Sequence, residues 1–194
     1  MGGQNTDAAV DERIRAGDPE GAATLLVRGL GPHILGYLRG ILRDTDDADD
    51  AFARWAEAVW KGISGFRGEA QVETWCHRVA WHAAMRILRD PHHRRRQPLH
   101  TSQASRLAEE VRTATQSHLG TTAQNRIAEL RRQLRPEDQT LLMLRLDRDM
   151  AWREIAEVLA EDGVDVSEAA LRKRYERIKE RVRELAVANG LLNS

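Results

Sequence analysis

A single cysteine, Cys76, occurs in 194 residues, which excludes an intramolecular disulfide and suits a reducing compartment. Proline is scarce, with five in the chain, and convincing β-branched alternation is missing. A sandwich or barrel of strands is thereby excluded, and helix is the regular element expected. No apolar run approaches ~18 residues, so no membrane span is expected. The opening MGGQNTDAAVDERIRAGD lacks a basic start followed by an apolar core. It does not read as a signal peptide, and a cytoplasmic location is the expectation. HExxH and paired CxxC motifs are absent as well. A metal site would have to be built from Cys76, His77, His82, His92 and His93, but Cys76 and His77 fall on different faces of one helix and cannot converge. No metal, cofactor or catalytic activity is expected.

Net charge is absent too, since 30 basic residues balance 30 acidic ones. The balance hides segregation. Asp44, Asp46, Asp47, Asp49 and Asp50 form an acidic cluster, His92, His93, Arg94, Arg95 and Arg96 a basic one, and Arg172 to Arg183 is basic again. Separate blocks of opposite sign point to one protein partner and one polyanionic partner.

Helical periodicity runs through most of the chain. Asp7 to Ala16 reads as a short helix ended by Gly17, and Asp18-Pro19 is an N-cap with proline at the first helical position. Gly31-Pro32 is expected to break the chain before a stripe of Ile34, Leu35, Leu38, Ile41 and Leu42. Thr45 or Asp46 caps a further helix containing Phe52, Trp55, Val59, Trp60 and Ile63. The segment 94–122, rich in Ser, Thr and Gln, reads as a linker with at most transient helix around Ser105 to Thr113. After it, Ala123 to Leu134 is helical, and Pro136 starts a helix burying Leu141, Leu142, Leu144 and Leu146. The fold expected is all-α: two small helical domains, 1–93 and 123–194, joined by that polar linker.

Two stretches carry functional signals. In Phe66 to Arg89, a step of ~100° per residue puts Val72, Cys76, Val79, Ala83 and Ile87 on one face. The opposite side carries Thr74, His77, Arg78, Trp81, Met85 and Arg89, with His82 beside Trp81. A cationic strip with an interleaved aromatic suits single-stranded or melting nucleic acid. The alternative is that Trp81 packs on a neighbouring helix and the arginines are solvated. Trp55, Trp60 and Trp75 are expected in the core.

In the second stretch, Trp152, Ile155, Ala156 and Leu159 form a short amphipathic helix broken by Gly163, and Ser167 caps the next. That helix buries Leu171, Tyr175, Ile178, Val182 and Leu185. Helix, turn, then a longer helix with small residues and cations at its exposed start has the form of a helix-turn-helix. Ser167, Glu168, Ala169, Ala170, Arg172, Lys173, Arg174 and Arg177 are the candidate DNA-contacting residues. The alternative is a plain helical hairpin with a solvated basic face.

Taken together, the chain resembles a bacterial sigma factor of the sigma-70 family, most closely the two-domain extracytoplasmic-function group. The resemblance rests on Arg15-Ala16-Gly17-Asp18-Pro19-Glu20, Asp47-Ala48-Asp49-Asp50, Phe66-Arg67-Gly68-Glu69-Ala70, Thr74-Trp75 and Arg78-Val79-Ala80 in the first half. Leu134 to Gln139 and Glu154 to Leu159 carry it in the second. The resemblance implies core RNA polymerase and promoter DNA as partners, with an anti-sigma factor as a further one. It implies that the helix from Asp47 to Ile63 docks on polymerase, through Asp47, Asp49, Asp50, Arg54 and Glu57. It assigns promoter melting to Phe66, Arg67, Thr74, Arg78, Trp81, His82, Met85 and Arg89, and reading of the upstream box to the helix from Ser167. Ala53 and Arg54 stand where the family usually has Gln and an acidic residue. They keep open a second reading, a sigma-like DNA-binding regulator that no longer programs core polymerase.

Overall fold

Local capping explains where the helices of the first unit begin and end. The computed structural model describes residues 3–90, 102–115, 129–160 and 166–192, and all regular structure among them is helical. The chain divides into two units, Met1–His118 and Leu119–Ser194. In the first, α1 (Gly3–Arg15) gives way to Gly17, whose φ of 75° is the left-handed turn that glycine adopts readily. Asp18 then caps α2 (Pro19–Ile41), its carboxylate accepting from the Gly21 amide at 2.8 Å. The break expected at Gly31-Pro32 does not occur. Pro32 removes only one intrahelical hydrogen bond. The buried residues Leu26, Leu30, Ile34, Leu38 and Ile41 keep helical spacing on both sides of it, so burial carries the helix across. α3 (Thr45–Gly62) is capped by Asp44 rather than Thr45 or Asp46; Asp44 accepts from the Asp46 and Asp47 amides at 2.8 and 3.1 Å.

A 3₁₀ turn, Ile63–Gly65, leads to α4 (Val72–Arg89), which packs on α1, α2 and α3 together. Trp55 of α3, itself stacked on Phe52, donates its indole N–H to the Cys76 carbonyl at 3.0 Å. On another side, Tyr37 of α2 meets the His77 ring edge-on at 5.6 Å. Asp7 of α1 accepts from the Val72 amide at 3.1 Å, a cap that Gln71 does not provide. Burial on several sides corrects the helical-wheel expectation. Trp81, placed on an exposed strip, is 1% exposed, and Thr74, His77 and Met85 are buried with it. The wheel assumed one apolar face; with three helices around α4, Val72, Cys76, Ala80, Ala84 and Ile87 fill one side and Trp81 fills another. Trp60 and Trp75 are half-buried, unlike Trp55.

The segment 94–122, expected as linker, contains α5 (Gln103–Thr115), which packs on α2 and α3. Its polar residues line the outer side, while Ala104, Ser105, Leu107, Ala108 and Val111 are buried. Val111 sits over Gly31, where an added Cβ would come within 3.0 Å of it, so the glycine is the notch that admits the helix. A helix of 13 residues is marginal in isolation. Burial of Leu107 and Val111, roughly 1.5–3 kcal/mol for each when complete, supplies the stability it lacks.

The second unit holds helical residues 129–132, α6 (Pro136–Leu146), α7 (Trp152–Leu159) and α8 (Glu168–Ala188). Leu141, Leu142, Leu144, Ile155, Val158, Leu171 and Ile178 form its core. Leu146, the last residue of α6, is exposed rather than buried. Glu154 accepts from the Ala151 amide at 2.7 Å at the start of α7, and Ser167 accepts from the Ala170 amide at 3.2 Å at the start of α8. The basic cluster at 92–96, Gly163 with the rest of 161–165, and the first half of the helix expected over Ala123 to Leu134 lie outside the described residues. No described helix is long and apolar enough to cross a membrane.

Removal of a fully buried tryptophan leaves a large cavity. Trp81→Ala should lower the stability of the first unit by about 3–5 kcal/mol, read from urea unfolding followed by tryptophan fluorescence. An unchanged midpoint would place Trp81 outside the core.

Candidate nucleic-acid interface

With α4 buried on several sides, one stripe faces solvent. It consists of Arg78, His82, Arg86 and Arg89, spaced four, four and three residues apart. Arg86, on the stripe, was not among the residues singled out from sequence, although its offset of four from His82 was visible there. Arg78 and Arg86 have no ion-pair partner among the described residues. The positions of Arg86 and Arg89 in the last turn also suit the helix dipole. The aromatic companions of this stripe are Phe66 and Trp75, half-buried with ring centroids 5.6 Å apart. Trp75 lies over Gly62, where a Cβ would approach its ring to 3.2 Å. Arg67, exposed, and Gly68, with φ of 70°, lie in the turn between Phe66 and Trp75. Of the eight residues assigned to melting, the structure therefore leaves Arg67, Arg78, His82 and Arg89 exposed and Phe66 half-exposed. Thr74, Trp81 and Met85 are interior, and the hydroxyl of Thr74 and the indole N–H of Trp81 have no hydrogen-bond partner among the described residues.

The candidate recognition residues divide in the same manner. Ser167 is the cap, and Ala169 and Ala170 are exposed small residues beside it. Glu168 pairs with Arg172 at 2.8 Å, and the Arg172 guanidinium lies 5.6 Å from the Trp152 ring, which Arg145 also covers at 5.2 Å. Trp152 meets Tyr175 edge-on at 5.4 Å. Arg174 is committed to α6, with its Nε 2.6 Å from Asp138 and a further contact to Glu137 at 3.7 Å. Lys173 and Arg177 are exposed and without an ion-pair partner among the described residues. These two cations are available to an outside anion; Arg172 and Arg174 hold the unit together.

The acidic residues of α3 are also engaged. Asp49 accepts from Arg39 at 3.1 Å and from Arg112 of α5 at 2.9 Å. Asp50 pairs with Arg54 at 3.1 Å, and Glu57 accepts from Ser105 of α5 at 3.4 Å and meets Lys61 at 3.7 Å. Asp47 donates its backbone amide to the Asp44 cap. The Arg112 guanidinium is held charged above its ordinary range, by Glu109 first and Asp49 second. Burial pushes the Cys76 thiol well above its usual value, so it stays protonated and is no nucleophile. Among the described residues no cluster of His, Cys, Asp and Glu could hold a metal ion.

Residues 26–96 match the family described as Sigma-70 region 2. The matched span, under half of the chain, runs from within α2 past the end of α4 and takes in the α3 acids and the whole α4 stripe. It supports a sigma-70 family member. No curated protein sequence matches the chain.

Lys173→Ala and Arg177→Ala should each reduce the salt slope of duplex DNA binding by about one unit without altering thermal stability. Arg174→Ala should instead loosen α6 from α8 and advance thermal unfolding. Anisotropy titrations across salt concentrations, paired with melting curves, separate the two effects; equal slopes for all variants would remove α8 from the interface.

Proposed function

We propose that the chain is a sigma factor of the extracytoplasmic-function type, acting in the cytoplasm with core RNA polymerase on promoter DNA. The observation that carries this reading is the solvent-facing stripe of Arg78, His82, Arg86 and Arg89, flanked by Phe66 and Trp75, within the span matching Sigma-70 region 2. Cations beside a partly exposed aromatic pair suit a single strand, whose phosphates the cations follow and whose bases can stack. The second unit reads the upstream box as duplex, with Lys173 and Arg177 of α8 towards the DNA and Ala169 and Ala170 allowing close approach. Segment 94–122 is the connection between a promoter-melting unit and a helix-turn-helix unit, although α5 within it belongs to the first. The chain supplies address and strand opening, and the chemistry is the polymerase's. An anti-sigma factor fits this role as a further partner.

A second reading, a sigma-like DNA-binding regulator that does not program polymerase, is favoured by one observation: Asp49 and Glu57 of α3 are engaged by α5.

The Arg78→Ala, Arg86→Ala double variant should fold as the unsubstituted chain does and lower promoter opening at least tenfold, since charge-assisted contacts contribute about 1.5–3 kcal/mol each. Permanganate reactivity of unpaired thymines reads the effect, and a template with a pre-melted bubble should rescue it. Full reactivity in the double variant would remove the stripe from melting. No transcription by the unsubstituted chain with core polymerase on any promoter pool from the source genome would favour the regulator.

A further inference from the structure

Two of the α3 residues assigned to polymerase, Asp49 and Glu57, are already covered within the chain by α5. Asp49, Ala53 and Glu57 are spaced by four and share one stripe of α3. α5 touches both ends of it, through Arg112 on Asp49 at 2.9 Å and Ser105 on Glu57 at 3.4 Å. Between them Ala53 is only 9% exposed. Asp49 has one oxygen on Arg39 and the other on Arg112, and its side chain is 16% exposed. A cation from outside would have to displace one of those arginines.

We propose that α5 is an autoinhibitory strap that competes with core RNA polymerase for the Asp49–Ala53–Glu57 face of α3. The proposal rests on the docking reading of that helix. In the free chain only the fraction with α5 released is competent to dock, so apparent affinity falls by that fraction. α5 is suited to reversible release. It is short, its outer side carries Arg106 and Glu109, and it is held on α2 and α3 by an apolar patch with polar contacts at the rim, among them the exposed Arg28–Glu110 pair at 3.2 Å. Arg112 gives Asp49 a basic partner of the kind the docking partner would bring, so release exchanges one cover for another and does not leave a buried carboxylate bare.

A disulfide staple tests this without touching a docking residue. A Cβ at position 31 would lie 3.0 Å from a Val111 methyl carbon, within disulfide reach, and the one native cysteine is buried. The full chain carrying Gly31→Cys and Val111→Cys is measured for binding to core polymerase, oxidised and reduced. Oxidation should weaken binding at least about tenfold and reduction should restore it. The separate variant Val111→Asp, which expels α5, should bind at least about tenfold more tightly than the unsubstituted chain. Equal binding by the oxidised and reduced forms would overturn the strap and leave docking in place. Absence of binding by every form, Val111→Asp included, would overturn the docking reading and the strap with it.

Discussion

The packing of α4 against three helices at once is the constraint on which the first unit turns. Each neighbour holds it by a different device: the Trp55 indole on the Cys76 carbonyl, the Tyr37 ring on His77, and the Asp7 carboxylate on the Val72 amide. Together they set the rotation of the helix about its own axis. The exposed stripe of a helix so enclosed carries Arg78, His82, Arg86 and Arg89, with Leu88 exposed beside it. The cationic surface is thus a product of burial as much as of composition.

Small residues set the second constraint. Gly31 on α2, Ala53 on α3, and Ala104 and Ala108 on α5 are places where a larger side chain would hold the helices apart. They bring Arg112 within reach of Asp49, and the resulting ion pair is only partly open to water, where screening is weaker than at the surface. Charge in this chain is sorted in space. Arg78 and Arg86 on α4 and Lys173 and Arg177 on α8 face outward, while Asp49 on α3 turns inward to Arg39 and Arg112.

Signals confined to a few neighbouring residues were legible in the sequence. Asp18-Pro19 and Ser167 begin helices because a capping side chain and a preset proline act within one turn. The all-α class followed from periodicity, and Cys76 fell on the buried side as expected. What escaped depends on residues far away. The fate of Trp81 is decided by how many helices surround α4, which no wheel contains. Gly31-Pro32 reads locally as a break, yet the packing of Leu30 and Ile34 on either side overrides it. α5 is polar enough on its outer side to pass for a linker, and its apolar side is legible only once Gly31 is seen as a notch. Arg174 looked like Lys173 in sequence and differs only because Asp138 lies 2.6 Å away.

The closure of the first unit by α5 separates family similarity from physical completeness. The family match ends at residue 96, and among the described residues the packing of the first unit continues through α5 to Thr115. A fragment ended at the first of these points would carry α2 and α3 with the sides that receive Leu107, Ala108 and Val111 laid open to water. Contiguous apolar surface of that kind drives self-association. Such a piece would contain the whole matched region and still lack the helix that covers this surface in the folded unit.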